Sequence, residues 1–248
     1  MGNILVIGDS CTDIFIYGDI DRVSPEAPVP VFKPQYRTEN DGMSKNVMKN
    51  LESLGCTVEI VTNENDIKKM RYVHKDSNQM VLRVDEHDYC RKIDDTELKY
   101  IKDWGDSFDA VIISDYCKGF LSEEDIKFIC ANCENVFIDT KKLLGEWALG
   151  AKFIKINGVE HEKNYEIIPN YPEFKEKLIV TKGKMGCIYK DTIFSVEEVP
   201  VKDVSGAGDT FLAGLVSEYI KSNDIEKSIK FAQECTTKVV QKHGVSTI

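Results

Sequence analysis

The sequence specifies an α/β fold in three layers, with a central, mostly parallel sheet flanked by helices and a small antiparallel β subdomain beside it. Three observations lead there. Short apolar runs suited to buried strands alternate with amphipathic stretches suited to covering helices, the pattern of a parallel sheet between two helical layers. A chain of 248 residues, 42% hydrophobic and 30% charged, has the length and composition to bury one large core. A further set of segments alternates with the period of strands but carries few helical signals, which sets it apart from the parallel sheet.

The elements follow in order. Residues 4–8, 58–62, 110–114, 136–139, 153–156 and 178–181 read as core strands, with 186–189 and 193–196 as a hairpin. Met43, Val47, Leu51 and Leu54 share one face of a helix that closes at Gly55, and the Asp94-x-x-Glu97 box opens another through Leu98 and Ile101 to Gly105. Ser122 with Asp125 starts a third, whose apolar face continues through Ile126, Ile129, Cys130 and Cys133. Leu212, Leu215, Val216 and Tyr219, then Ile225, Ala232, Cys235 and Val239, mark two closing helices. Residues 13–18, 29–33, 70–75 and 79–85 read as the short strands of the antiparallel subdomain. Pro25, Pro28, Pro30 and Pro34 bar the first connection from a central position, so it suits an edge or a flap. The pattern leaves two roles open for this sheet, extra surface or a lid. No repeat or linker divides the chain, so residues 1–248 read as a single domain with its lid strands inside 13–34 and 70–85.

Composition excludes several function classes. Subtracting 42 acidic from 32 basic residues leaves a net charge of −10, so no basic surface is available for nucleic acid. No apolar run is long enough to cross a bilayer and the amino terminus lacks a basic leader, so no membrane partner is expected. Eight cysteines without a signal peptide imply reduced thiols and a cytoplasmic location. Cys130 and Cys133 form an isolated C-x-x-C, read as buried structural thiols for want of a second pair. His74, His87, His161 and His243 lack the spacing of a zinc site.

The most informative stretch is Asp203-Val-Ser-Gly-Ala-Gly-Asp209, which feeds the Leu212 helix. Gly206 and Gly208 let backbone N–H groups turn inward, and the helix dipole adds positive charge there, which makes an anion cradle. Asp209 lies in the first turn, where it can take a proton from a hydroxyl beside a bound phosphate. The same residues would equally make a tight turn and a helix cap, and composition alone leaves both readings open.

This stretch resembles the D-x-x-G-A-G-D signature of the ribokinase-like (PfkB) sugar kinases. The resemblance implies a ribokinase-like fold, Asp209 as catalytic base, and Gly206, Ala207 and Gly208 as holders of the travelling phosphoryl group. It extends along the chain: Gly8-Asp9 with Asp13, Tyr17-Gly18-Asp19, residues 22–30, Asn46 with Asn50, residues 53–55, 82–85 and 114–119, Asp139 with Lys141, and 243–247 are similar to the D-glycero-β-D-manno-heptose 7-phosphate kinases. It implies that Asp13, Gly42 and Asn46 hold the sugar, with Asp209 on the reacting hydroxyl. Arg71, Arg83 and Lys118 are the candidate cations for a phosphate already on that sugar. Lys141, Asn157, Thr181, Gly183, Gly206, Gly208 and Gln233 would line the nucleotide, and Glu160 of the Asn157-x-x-Glu160 element would hold magnesium. ATP is then the phosphoryl donor, Mg²⁺ the cofactor, and a homodimer through the lid strands the expected assembly.

There are departures. Met43 replaces the second glycine of the family's Gly-Gly, adding a side chain where backbone is expected to approach the sugar. Few polar residues separate residues 58–62 from 69–71, where the family carries another helix and strand, and the segment after Asn157 is short. The chain stops near Ile248, so a fused nucleotidyltransferase is not expected. The resulting reading is transfer from Mg-ATP to the anomeric hydroxyl of a heptose 7-phosphate. The alternatives are a kinase for another sugar or nucleoside, and a catalytically idle binder of sugar phosphates.

Overall fold

The computed structural model describes residues 2–64, 67–242 and 247–248. β1 (Asn3–Gly8) leads into β2 (Ser10–Val23) and β3 (Pro30–Met43), and α1 (Ser44–Ser53) follows without a break. Next come β4 (Thr57–Thr62), β5 (Lys68–His74), β6 (Met80–Glu86), α2 (Asp95–Trp104), β7 (Ala110–Asp115), α3 (Glu123–Asn132) and β8 (Val136–Thr140). β9 (Phe153–Asn157), α4 (Gly158–Lys163), β10 (Leu178–Thr181), β11 (Cys187–Tyr189) and β12 (Thr192–Phe194) precede the closing helices α5 (Ala207–Ser222) and α6 (Ile225–Val239). Among the described residues the larger sheet runs β12-β11-β10-β9-β8-β7-β1-β4. Its pairs are parallel from β4 to β10 and antiparallel from β10 through β12.

Both faces of this sheet are buried, which is why its strands read as nearly unbroken apolar runs. Leu5, Ile7, Val111, Ile113 and Ile138 face α2 and α3, meeting Ile101, Ile126 and Ile129. Ile4, Val6, Ile112, Phe137 and Phe153 face the other way, onto Val47 and Leu51 of α1 and the apolar stripe of α5 from Phe211 to Tyr219. The expected capping boxes close at Asp94 with Glu97 and at Ser122 with Asp125. Cys133 departs from its expected place on the helix face: it is the C-cap of α3. Burial pushes the Cys130 thiol up to about 12 and that of Cys133 to about 11, which leaves both unreactive.

The second sheet, in the order β3-β2-β5-β6, differs from its sequence reading in two ways. It is mixed rather than antiparallel: β2 runs parallel to β5, from Thr12 opposite Lys68 to Gly18 opposite His74, because β5 is reached through α1 and β4 instead of a hairpin turn. Its first two strands are also longer, at 14 residues each. Residues 33–39 are all exposed, so no apolar alternation announces the far half of β3; pairing with β2 holds it. Pro34 falls on this edge strand opposite Gly18, at a shift in register, where a missing N–H does least harm. Phe15, Tyr17 and Arg71 of this sheet face Lys202, Asp203 and Ser205, of the segment leading into α5, across a hollow of about 200 Å³.

Two buried features fix the sheet's carboxyl edge. Asp9, fully buried, accepts the backbone N–H groups of Tyr116 at 2.7 Å and of Lys118 and Phe120 at 3.3 Å, pinning the loop after β7. Burial and the nearby Asp115 charge raise its carboxyl above the ordinary value against the pull of those donors. Met43 has φ 59° and ψ −131°, a region that costs a side-chain-bearing residue about 1–3 kcal/mol. Its side chain is buried in the core cluster that also holds Cys11, Ile67 and Cys90. Asp9→Ala is expected to leave three buried donors unpaired and cost about 3 kcal/mol or more. A urea denaturation midpoint equal to that of the parent would refute this.

Candidate active site

α5 starts at Gly206, whose φ of 77° is the left-handed conformation that glycine adopts without strain. The turn carries Asp209 into the protein at 3% exposure. Asn46 Nδ2 donates to its Oδ2 at 2.8 Å, and the Tyr116 hydroxyl donates to its Oδ1 at 2.5 Å. Asn46 is itself held, because Asn50 Nδ2 donates to Asn46 Oδ1 at 3.2 Å while Thr210 Oγ1 donates to Asn50 Oδ1 at 3.3 Å, locking α1 to α5. Burial raises the Asp209 carboxyl to about 6 although both donors, and the Lys155 charge, favour the ionised form. That is a suitable value for a base working near neutrality.

The cradle ahead of it is more selective than its sequence suggests. The Ala207 N–H is spent on the Val204 carbonyl at 3.2 Å. Beneath Gly208 lies Lys155, paired with Asp139 at 2.7 Å, both side chains almost wholly buried. A Cβ at Gly208 would come within 2.9 Å of Lys155 Nζ, so glycine is required for the ammonium to stand against the cradle. The sequence reading missed Lys155. Its position in β9, opposite Asp139 in β8, is a cross-strand relation that only the sheet reveals.

On the lid side, Asp13 is buried and ion-paired with Arg71, which lies over the Phe15 ring at 5.0 Å. A Cβ on Gly42 would stand 2.4 Å from Asp13 Oδ2 and 2.6 Å from Cys11 Sγ, so this glycine makes room for the carboxylate. Arg83 sits opposite Arg71 in the β5–β6 ladder and grips Asp85 with bonds of 2.7 and 2.8 Å. Lys118 pairs with Asp88. Lys69, 8% exposed and absent from the sequence reading, brings its ammonium to 5.2 Å from the Tyr116 ring centre. Four cations and three acids thus interleave at the lid mouth.

On the opposite side a hollow of about 360 Å³ is lined by Thr181, Gly183, Gly208, Phe211, Gln233 and the valines 196, 199, 201 and 240. Gln233 Nε2 donates to the Phe194 carbonyl at 2.6 Å, closing one end. Thr181 and Gly183 stand at the end of β10, Gly183 with φ 55°. Asn157 and Glu160 form a capping box at the head of α4, and Lys141 Nζ reaches Glu160 Oε1 at 2.8 Å. Glu160 also accepts from the Asn157 amide nitrogen and backbone, so donors already wrap its carboxylate. Such a carboxylate suits Mg²⁺ that keeps its water shell, since that ion dehydrates reluctantly. Burial pulls the Lys141 ammonium down, but Asp139 and Glu160 outweigh it and its pKa is raised. Of the motif at 243–247, residues 243–246 lie outside the described residues.

Asp209 thus follows Gly208, which lines the apolar hollow, and bonds Tyr116, whose ring lies near Lys69 of the cation cluster. Residues 150–248 match the family model "pfkB family carbohydrate kinase". The whole chain is also similar to curated relatives named bifunctional protein HldE, with 30% identity over 98% of this chain to that of Nitratiruptor sp. and 27% over 99% to that of Blochmanniella pennsylvanica. The family-model match falls on the part of the chain that holds the glycine-rich turn and Asp209. The chain as a whole aligns with the HldE relatives almost from end to end. It spans about three-fifths of the length of those relatives, 62% and 61%. Among solved structures, the ribokinase of Thermotoga maritima aligns with a TM-score of 0.71 at 14% identity, over 99% of this chain and 95% of its own. The phosphofructokinase-2 of Escherichia coli aligns at 0.72 and 13% identity, over 97% and 94%. These likenesses establish the ribokinase-like fold of the chain.

The raised Asp209 carboxyl has a consequence for stability. Because its folded pKa of about 6 exceeds the ordinary 3.8, folding gains from the proton at low pH and loses that gain as pH rises from about 4 through 6. Asp209→Asn is expected to be more stable than the parent at pH 7.5, by on the order of 1–3 kcal/mol, with the difference vanishing near pH 4. Thermal melts at both pH values check this; equal melting temperatures at pH 7.5 would contradict it.

Proposed function

We propose that this protein is a pfkB family carbohydrate kinase that transfers the γ-phosphoryl group of Mg-ATP to the anomeric hydroxyl of a heptose 7-phosphate. The observation that carries the reading is the place of Asp209, a buried carboxylate whose neighbour Gly208 lines the apolar hollow and whose hydrogen-bond partner Tyr116 adjoins the cation cluster. In this reading Asp209 takes the proton of the sugar hydroxyl as its oxygen bonds to the γ-phosphorus and ADP leaves. Amides of Gly206 and Gly208, with the Lys155 charge behind them, hold the phosphoryl oxygens. Asn46 fixes the orientation of the base, and Asp13 and Gly42 form the sugar wall.

The sugar's own phosphate is a dianion that can draw Lys69, Arg71, Arg83 and Lys118 from their present acidic partners. A substrate lacking that phosphate would leave the cluster internally paired, so specificity for a sugar phosphate follows from charge. The resemblance of residues 8–30 and 114–119 to heptose 7-phosphate kinases, and the HldE relatives, favour a heptose. Lys141, Asn157, Thr181, Gly183 and Gln233 would line the nucleotide, and Glu160 would hold magnesium, which supplies charge neutralisation between the phosphates when bound. Exposed Val23, Val29 and Tyr36 on one lid edge and Met80 and Leu82 on the other support a homodimer formed through the lid strands.

An ADP-release assay across phosphorylated heptoses, hexoses and pentoses tests the substrate. Heptose 7-phosphate is expected to give the highest kcat/KM, and preference for unphosphorylated ribose or fructose would overturn the assignment. Sugar binding without any ADP formation would favour an idle binder instead. Asp209→Asn is expected to cut turnover by about 10² or more with nucleotide binding retained. In the parent, kcat/KM should fall on the acid side of about pH 6, where the base becomes protonated.

A further inference from the structure

Both oxygens of Asp209 accept a hydrogen bond from the protein itself, and the two donors are unlike. Asn46 is 1% exposed on α1 and tied to Asn50, so it has nowhere to go. Tyr116 is only half-buried and begins the loop pinned by Asp9, next to Cys117 in the left-handed conformation at φ 57°. Its ring lies near two ammonium groups, Lys69 from the lid at 5.2 Å and Lys141 from the Glu160 side at 4.7 Å. Burial, followed by the Asp209 charge, holds the phenol well above its ordinary value, so it stays a donor and cannot serve as a base.

We propose that Tyr116 is a positioning residue that occupies the acceptor-hydroxyl place on Asp209, a latch that the sugar hydroxyl displaces. The inference rests on Asp209 being the base. While the latch is closed, water has no free access to Oδ1, and Asp209 cannot activate it against ATP. When a sugar arrives, its hydroxyl takes over the short bond and the phenol swings away. The two flanking ammonium groups make this exchange responsive to both sides of the site, because each holds the ring through its π face. The charged and titratable groups facing Asp209 are Tyr116, Cys11, Asp139, Lys141 and Lys155. Of these, Cys11 is neutral, its thiol pushed up to about 12 by burial. Tyr116 is the only one of them that bonds the carboxylate directly among the described residues.

The test is Tyr116→Phe, which removes one oxygen and keeps the ring between its ammonium groups. Carbon-13 NMR of labelled carboxyls, with Asp209 assigned by its loss in Asp209→Asn, reads the midpoint without any catalytic assay. Losing a donor to the ionised form raises the pKa, so the Asp209 midpoint should move up from about 6 by about one pH unit. At pH 8, ATP hydrolysis without sugar should rise several-fold relative to transfer with sugar. Tyr116→Met, a second variant lacking the phenol, should move both readings the same way. An unchanged midpoint or an unchanged ratio overturns the latch. The two readings fail separately: full turnover in Asp209→Asn overturns the base, whereas an unmoved midpoint in Tyr116→Phe overturns only the latch.

Discussion

An ionised carboxylate buried at the tip of a helix is tolerable only if donors meet it, and this requirement organises the whole site. Asp209 cannot be satisfied by its own segment, because α5 presents backbone N–H groups outward to the cradle. Its partners come from α1 and from the loop after β7, 163 and 93 residues away in sequence. Meeting that one group therefore requires α1, α5 and the central sheet to be assembled in a single arrangement. The compensation is incomplete, and the residual cost is what raises the carboxyl into the range useful for proton transfer.

The rest of the polar machinery lies at the carboxyl ends of the strands, as is general for open parallel sheets. Asp9 follows β1, Asp115 ends β7, Asp139 and Thr140 end β8, Asn157 ends β9 and Thr181 ends β10. Behind them the strands are mostly apolar, so the sheet acts as a rigid floor. Asp115 is buried and satisfied by Thr140 Oγ1 at 2.6 Å and Lys142 Nζ at 2.7 Å. The Lys155–Asp139 pair is the neighbouring case. Neutralising each other at almost no exposure, these two let a positive group stand at the cradle without presenting a free charge to the core.

Much of this was legible in the residues themselves. Apolar runs located every strand of the larger sheet to within about two residues, and the helix-start boxes at Asp94 and Ser122 closed as their spacing implied. The glycine-rich turn located the cradle because its chemistry is local: glycine where φ is positive, a helix behind it, a carboxylate in the first turn. What could not be read was cross-chain. Lys155 and Lys69 sit on strands with no local pattern to distinguish them from solvated lysines, and Tyr116 lies in a quoted motif with nothing to indicate where its hydroxyl points. Met43 is a further case. It is buried in the core on a strained backbone, which only coordinates reveal.

The parallel pairing of β2 with β5 sets a limit on how this protein can be altered. Between those two strands the chain passes through α1 and β4, both integral to the floor beneath the candidate site. The cover is thus woven into the body by its own connectivity. It cannot be cut out as one continuous cassette and exchanged for that of another enzyme, so a change of cover must come residue by residue within the existing weave.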